Sequence, residues 1–538
     1  MGYRFGLLLS VGAVLAAGSV VSGPVSAQTQ GTPPQTTQPQ AAQARPPAKP
    51  PQTRPPASAR PTELETVTAA QGLKPRASKP SVPVSPSAAS VGGRVPRTLT
   101  EALAATYSTQ PSLLAERARL RATDENVPQA LAGWRPTVVV QGTAGGGDST
   151  SRAYTPTVGR TIVSSNGRPI ATEQVTLTQP LYSGGRTQAN VNRARNQVMA
   201  GRAALIQAEQ QSFTSTVSAY VGVIQARQIL SLNINNEQVL AKQLQATNDR
   251  FRVGEITRTD VAQAEAALSG ATAQREVSEG QLQVARGTFQ QIVGYLPPDD
   301  LMEPQPLVPP VRTEQEARGM AASNNPQVVA ALFNDAAARD AIDVATSNLM
   351  PQVSLQAQGF QQNNSSSPRT ESLGYQAVVQ LSVPVYQGGS EYAVVRQSKQ
   401  LAQQTRRQVD DARRIAVQSA VQAWNTLLSA RAAADSTRAQ IRANEIALEG
   451  VQREAIVGSR TTLDVLNAQQ TLLVSRTNLV QALTQLVIAS YSVASAVGRL
   501  TARDLHLPVP LYDETAYYEA VRNKWIGMGD YATDQPYR

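Results

Sequence analysis

Cysteine is absent from this chain of 538 residues, and histidine occurs once, as His506. Without cysteine the chain can form no disulfide, no thiolate metal site and no lipid-modified N-terminal cysteine. A single histidine near the C-terminus excludes a histidine-rich metal site and a catalytic triad elsewhere in the chain. Paired carboxylates are the remaining catalytic option, and no cluster of them lies outside the predicted helix faces. The sequence therefore predicts no enzyme activity, no metal site and no cofactor.

Aromatic residues are also scarce, at 4% of the chain against 41% hydrophobic residues. This composition favours thin helical layers over a thick globular core. The net charge of +10 is concentrated in residues 1–97, which hold ten of the 49 basic residues and two of the 39 acidic ones. The rest of the chain is nearly balanced and has no basic patch interleaved with aromatic residues. We therefore expect no binding to nucleic acid.

Long hydrophobic runs are limited to residues 7–21, which follow Arg4 and precede a Val-Ser-Ala sequence ending at Ala27. This pattern is typical of a secretory signal peptide cleaved after Ala27, and the run is too short to span a bilayer. No later run of eighteen apolar residues occurs, so no transmembrane helix is expected in the exported chain. Residues 28–97 are rich in proline and glutamine and cannot bury enough apolar surface to fold.

The remainder of the chain is an internal tandem duplication with an offset of 204 residues. Between the first two glycines of each copy lies a helical pattern of about 65 residues, which predicts a rod of roughly 100 Å. The matching glycines are Gly185 with Gly389, Gly254 with Gly458, and Gly294 with Gly498. In the first rod, apolar residues at Phe213, Val217, Tyr220 and Ile224 form a coiled-coil-like seam, and the second rod has apolar residues at the equivalent positions 417, 421, 424 and 428.

These patterns divide the chain into five expected segments. They are a signal peptide over residues 1–27, a disordered linker over 28–97, a first repeat over 98–310, a second repeat over 311–503, and a tail over 504–538 that packs on the helical body.

Each repeat also contains two short strands with alternating polar and apolar residues, predicted at 137–141, 174–182, 352–360 and 375–386 with a glycine-rich loop between the first two. Such alternation fits a transmembrane barrel strand, and equally a soluble sheet with one wet face. Four strands cannot close a barrel, whereas three copies supply twelve strands, which can. Near the strand ends stand residues that could form an interfacial aromatic belt: Trp134, Tyr182, Phe360, Tyr375 and Tyr386.

Two motifs, each present in two copies, connect these elements. The strand-to-helix turns are Pro180-Leu181-Tyr182-Ser183-Gly184-Gly185 and Pro384-Val385-Tyr386-Gln387-Gly388-Gly389. The distal turns are Val253-Gly254 with Thr259-Asp260-Val261, and Val457-Gly458-Ser459-Arg460-Thr461 with Asp464-Val465-Leu466-Asn467-Ala468. In order, duplication and spacing, the chain from residue 99 to about 505 resembles TolC-like outer-membrane efflux proteins, in particular those that serve type I secretion.

The resemblance implies a mainly α fold with a small β part. It implies a homotrimer whose twelve-stranded outer-membrane barrel, four strands per protomer, is continuous with a long periplasmic α-helical barrel. The chain would then contact lipid in the outer membrane of a Gram-negative bacterium, with most residues in the periplasm. Its function would be that of a passive exit duct in a tripartite system for type I protein secretion or small-molecule efflux. A periplasmic adaptor and an inner-membrane pump of the ABC or RND type would open it. The alternative is an exported trimeric coiled-coil scaffold or adhesin without a pore.

The same resemblance assigns roles to the distal turns. Val253, Gly254, Val457 and Gly458 would lie at the periplasmic tip that docks the adaptor, and Asp260, Arg460 and Asp464 would form the gate. Two positions depart from the family, because Ala455 replaces a tyrosine of some members and Asn467 replaces an acid. Asp260 and Asp464 also stand at predicted helix starts, where an acid is favoured by the helix dipole, so simple helix capping is the competing interpretation.

Overall fold

The computed structural model describes residues 95–365 and 369–529 of the chain. The predicted signal peptide and nearly all of the predicted linker lie outside the described residues, as do residues 530–538 of the tail. Within the described part, the helices are α1 (Leu99–Thr109), α2 (Pro111–Asp124), α3 (Asn126–Leu131), α4 (Arg186–Arg252), α5 (Arg258–Val293), α6 (Glu314–Asn324), α7 (Pro326–Ser347), α8 (Ser390–Ile456), α9 (Thr462–Ala496) and α10 (Ala516–Val521).

Two helices of equal length, α4 and α8, dominate the molecule. Each has 67 residues and each begins directly after a left-handed glycine, Gly185 or Gly389. The chain then reverses into the shorter helices α5 and α9, with 36 and 35 residues. This confirms the duplicated rods that the sequence predicts, each roughly 100 Å long. α4 packs against both α5 and α9, and α9 against α8, so the four helices form a layer in the order α5, α4, α9, α8.

The core is a thin seam along α4, as the low aromatic content predicts. Phe213, Val217, Tyr220 and Ile224 are all buried there. The hydroxyl oxygen of Tyr220 lies 2.7 and 2.8 Å from the carbonyl oxygens of Arg97 and Met302, so its single proton is shared between two acceptors and the one polar group that this ring brings into the core is satisfied.

The equivalent seam on α8 differs from the prediction. The buried residues there are Ala416, Ala420 and Leu427, while Leu428, the equivalent of Ile224, is about half exposed. The reason is a difference in covering elements. α1, α2 and α5 cover the seam of α4, whereas α6, α7 and α9 cover a different side of α8. An exposed apolar face therefore remains on α8.

Helix α9 is the one described helix that is long and apolar enough to cross a membrane by length and composition alone, with a mean hydropathy of 1.4 in its most apolar window. A packed core helix passes the same test. Tyr491 and Ala494 of α9 belong to the core around α4, and Ala489 and Val493 belong to a second apolar cluster with α8. Its apolar character is thus accounted for by packing on both sides.

One antiparallel sheet holds the four described strands in the order β1 (Thr137–Thr155), β2 (Arg160–Tyr182), β3 (Gln352–Asn363) and β4 (Glu371–Ser382). The predicted glycine-rich loop is wrong, because Gly142 and residues 145–147 lie inside β1 and pair row by row with β2. Glycine lowers β propensity but does not prevent a ladder in which every backbone group finds its partner. The β1–β2 hairpin consequently runs on beyond Ala171, the last β2 residue paired with β3.

The C-terminal segment lies along the outside of α2, α3 and α4. The backbone N–H of Tyr512 donates to the hydroxyl of Tyr107 at 2.9 Å, and the hydroxyl of Tyr517 donates to Glu125 at 2.9 Å. Tyr518 of α10 packs on a small apolar cluster of α3 and α4 that contains Val127 and Val198. These contacts bring the segment over Asp124, at the end of α2.

Asp124 is a buried carboxyl group with 1% of its surface exposed and without a hydrogen-bond partner on either oxygen in the described structure. Burial raises its pKa to about 7, and the positive charge of Arg202 opposes this rise only in part. The other charged groups that act on it are Glu125, Glu514 and Arg121. Because the docked state keeps a proton that the exposed carboxyl would lose, docking is strongest at acidic pH, weakens as pH rises from 3.8, the usual pKa, to about 7, and then levels off.

We therefore predict that the C-terminal segment becomes more susceptible to proteolysis between about pH 5 and about pH 8. Asp124→Asn should remove this dependence, and comparison with the variant at each pH cancels the pH profile of the protease. The control is Asp513→Asn, because hydrogen bonds from Thr515 hold the pKa of Asp513 below its usual value and keep it ionised throughout. A wild-type cleavage rate that follows the Asp124→Asn rate at every pH would contradict the prediction.

Candidate functional site

The sheet has one apolar face that extends across all four strands. The pairing register aligns Val140 with Val175, Leu177 with Ala357, and Leu355 with Val379. On β4 this face runs from Leu373 to Leu381, roughly 27 Å along the strand, which matches the apolar band of an outer-membrane barrel, whereas on β2 it ends at Glu173. Its members are Val138, Val140, Val175, Leu177, Val353, Leu355, Ala357, Leu373, Tyr375, Ala377, Val379 and Leu381.

The opposite face is polar and carries no charged residue in the rows where β3 and β4 pair with each other and with β2. Glutamines from neighbouring strands bond across it. Gln356 donates to Gln380 at 2.7 Å, and Gln376 donates to Gln358 at 3.1 Å. Amide side chains and hydroxyls thus form a neutral surface that can exchange hydrogen bonds with water. Its members include Gln141, Thr143, Gln174, Thr176, Gln352, Ser354, Gln356, Gln358, Gln376, Gln380 and Ser382.

Phe360 lies on this polar face, so its predicted place in an aromatic belt is wrong. Its ring covers Gly374 of the neighbouring strand, where an added β-carbon would lie 2.6 Å from Phe360 Cζ. Tyr375 instead lies on the apolar face and is almost fully exposed. Trp134, Tyr182 and Tyr386 lie at the helix-proximal end of the sheet and are also exposed, as residues at a membrane interface would be.

The strand-to-helix turns have matching backbone geometry. Gly184 and Gly185 have φ values of +64° and +85°, and Gly388 and Gly389 have +66° and +81°. At Gly184 an added β-carbon would also lie 2.8 Å from the carbonyl oxygen of Ser347, at the end of α7. This close approach explains why the first turn needs glycine for space as well as for conformation. Pro180 marks a register shift between β2 and β3, and Pro384 follows the end of β4.

The distal turns are also alike. Gly254 and Gly458 have φ values of +79° and +80°, and the residue after each donates its backbone N–H to the carbonyl five positions earlier. This arrangement is the glycine-terminated helix end, in which positive φ closes the last carbonyls. The preceding residues, Val253 and Val457, each have 78% of their surface exposed. Each turn therefore presents an aliphatic side chain at its apex.

Asp260 and Asp464 each complete a capping box at the start of a return helix. The carboxylate of Asp260 accepts from the backbone N–H and hydroxyl of Thr257 at 3.0 and 2.7 Å, and Asp464 does the same with Thr461 at 3.0 and 2.9 Å. These hydrogen bonds hold the pKa of both carboxyls below the usual value. The bond from the Thr257 hydroxyl has the largest effect at Asp260, and the bond from the Thr461 backbone N–H has the largest effect at Asp464. Within one chain, therefore, both acids have the capping role that was the competing interpretation.

Arg460 forms an ion pair that the sequence reasoning missed. Its Nε lies 2.9 Å from Oε2 of Glu454. The first turn has a similar pair, in which Arg250 lies 2.5 Å from Glu255. With the 204-residue offset, Arg250 is the equivalent of Glu454, so the same backbone position carries opposite charges in the two repeats. Comparing charges at equivalent positions would have revealed this difference.

The two departures from the family pattern lie close to the second turn. Ala455 is buried near the end of α8. Asn467 borders a groove of about 660 Å³ between α4, α5 and α9, to which Leu240 and Ala271 also contribute. Among the described residues, no group of three or more histidine, aspartate and glutamate side chains could hold a metal ion.

This combination of a two-faced sheet with duplicated helical hairpins is that of an outer-membrane channel protein. The family model described as "Outer membrane efflux protein" matches residues 103–295 and 317–499. The chain belongs to this family. Its position is the outer membrane of a Gram-negative bacterium, and its function is that of an exit duct for efflux or type I secretion.

Individual relatives agree with this assignment. The chain is 36% identical over 436 residues to the outer membrane efflux protein BepC of Brucella suis, covering 80% of this chain and 92% of BepC. It is 26% identical to the outer membrane protein TolC of Escherichia coli over 359 residues, covering 61% and 71% of the two chains. The crystal structure of the outer membrane protein VceC from Vibrio cholerae has the same fold, with a TM-score of 0.62 at 19% identity over 74% of this chain and 96% of VceC. The family match favours the channel over a scaffold or adhesin without a pore.

Proposed function

We propose that three copies of this chain form one passive conduit across the outer membrane and periplasm. The observation that carries the proposal is the sheet, which has an apolar face, an uncharged polar face and two free edges on β1 and β4. Free edges leave backbone N–H and C=O groups unpaired, which is costly in hydrocarbon. Pairing β4 of one copy with β1 of the next removes both edges and directs the polar face inwards.

The helical layer supports the same closure. Its two flanks are α5 and α8, and both have exposed aliphatic side chains that the protomer itself does not cover. They are Val277 and Val284 on α5 and Leu401, Ile415, Leu428 and Ile446 on α8. In a ring of three, α8 of one copy lies beside α5 of the next, which covers these residues. Burial of aliphatic surface at about 25 cal/mol per Å² then contributes to assembly.

The distal turns have two roles in this proposal. Val253-Gly254 and Val457-Gly458 dock a periplasmic adaptor, which connects the conduit to an inner-membrane pump of the ABC or RND type. Asp260, Arg460 and Asp464 hold the six turns of the trimer in a narrow ring until the adaptor engages. The pump supplies the energy, so the chain has neither a catalytic role nor a cofactor.

Assembly and membrane insertion can be tested with a pair of adjacent residues on β4. Val379 lies on the apolar face and Gln380 on the polar face. We expect native mass measurement of the detergent-purified protein to give three chains, and Val379→Asp to impair assembly because a charge on the lipid face is destabilising. Gln380→Glu should assemble normally and shift the single-channel current towards cations. Equal tolerance of both variants would indicate a soluble sheet, and a stable monomer would contradict closure.

The gate can be tested through the partner of Arg460. If Arg460 reaches Asp260 of a neighbouring turn, Arg460→Ser should raise the resting single-channel conductance in planar bilayers. Glu454→Gln is the matched control, because it breaks the Arg460–Glu454 pair but leaves the arginine available. Exchanging the charges of Arg460 and Asp260 together should restore closure in part, since the exchange also removes a helix cap. Wild-type conductance in Arg460→Ser would leave only the capping roles.

Adaptor docking can be tested with two glycines of the second repeat. Gly458 has φ +80° and Gly450 lies inside α8, and an added β-carbon would meet no atom within 4 Å at either position. The two positions therefore differ in backbone conformation and not in the space available to a side chain. We expect Gly458→Val to strain the turn by roughly 1–2 kcal/mol and to weaken cross-linking to the adaptor while the trimer survives. Gly450→Val should leave cross-linking intact, and equal cross-linking of both variants would contradict a docking tip.

A further inference from the structure

The C-terminal segment reaches the helix-proximal end of the sheet. Beyond α10 it passes Arg522 and Lys524 and arrives beside Arg135, two residues before β1 begins. The guanidinium carbon of Arg135 lies 4.7 Å from the ring centroid of Trp525, and its Nη1 donates to the carbonyl of Lys524 at 2.8 Å. A stacked cation and a direct hydrogen bond thus fix the segment at this level.

The residues held there are apolar and unusually exposed. Trp525 has 66% of its surface exposed and Ile526 has 91%, while Met528 is fully exposed. Trp134, next to Arg135, is also exposed. Large apolar side chains gathered at one place on a surface mark a contact with another molecule or with a membrane. Apart from the Arg135 guanidinium stacked on the Trp525 ring, the contacts that fix this segment leave these side chains exposed.

The position of the segment indicates a lipid partner. Arg135 precedes Val138, the first residue of the apolar face of β1, by three residues, so the segment lies near the end of the hydrocarbon band. Tryptophan is favoured at such an interface. Arg135, Arg522 and Lys524 add positive charge that suits the phosphates of lipid headgroups.

We propose that residues 524–528 are a membrane anchor that inserts into the headgroup region of the periplasm-facing phospholipid leaflet, and that Arg135 is the positioning residue that holds the anchor in place. The anchor links the tail of the chain to the membrane that the barrel crosses. It therefore limits rotation and tilt of the helical barrel relative to the membrane. This inference depends on the insertion of the sheet, so its test must separate the two.

The chain contains three tryptophans, which makes fluorescence a direct test. Trp134→Phe with Trp424→Phe leaves Trp525 as the only reporter in trimers reconstituted into phosphatidylcholine and phosphatidylglycerol vesicles. Brominated phosphatidylcholine should quench this reporter about twofold if the ring lies in the bilayer interface. Adding Arg135→Ala should reduce quenching by the brominated lipid and increase quenching by iodide from the water phase.

Two control reporters separate the possible outcomes. A protein with only Trp424, which lies roughly 50 Å along α8 from the sheet, should not respond to brominated lipid. A Tyr375→Trp reporter without native tryptophans, on the apolar face of β4, should be quenched if the barrel is inserted. Quenching of that reporter without quenching of Trp525 overturns the anchor alone, whether iodide reaches Trp525 or a protein surface covers it. Loss of quenching at both sites overturns the insertion of the sheet.

Discussion

Backbone hydrogen bonding in lipid is the constraint on which the rest of this structure depends. An unpaired N–H or C=O group in hydrocarbon costs several kcal/mol, and one protomer has two strand edges full of them. The apolar face of the sheet directs it into lipid, while its free edges prevent it from remaining there alone. Closure with further copies resolves this conflict, and it also determines the arrangement of the helices. Because α4 and α8 continue from the strands through equivalent glycine turns, closing the sheet gathers them into one cylinder.

The duplication explains why the two distal turns lie at the same distance from the sheet. α4 and α8 have the same length, and their turns share positive φ at Gly254 and Gly458 and the same capping box beyond. The two repeats share the backbone geometry of the turn but differ in side-chain charge. Arg250 and Glu454 occupy the same position with opposite sign, yet each forms an ion pair within its own turn. The two kinds of turn are therefore equal in shape and different in electrostatic character.

Much of the fold was predictable because it follows from the periodicity of apolar residues and from the glycines that end each element. The 204-residue offset, the helical period and the glycines located the rods, and the alternation at Gln352–Gln358 correctly predicted the two faces of the sheet. The hairpin beyond Gln141 was missed because glycine signals a loop locally, whereas the ladder with β2 is a tertiary effect. The α8 seam was misplaced because burial depends on which elements cover a helix. At the candidate gate, the capping by Asp260 and Asp464 could be anticipated from position, but the Arg460–Glu454 pair required the geometry of the turn.

The amide-lined face of the sheet has a consequence for what passes through. A wall of glutamine, threonine and serine exerts no long-range field on a solute, and each hydrogen bond that it offers replaces one from water at little net gain. Positively and negatively charged molecules would therefore meet nearly the same resistance in the rows that β3 and β4 share with β2. Such a wall does not discriminate between solutes by their charge. Discrimination by charge would then have to come from parts of the system outside these rows of the sheet.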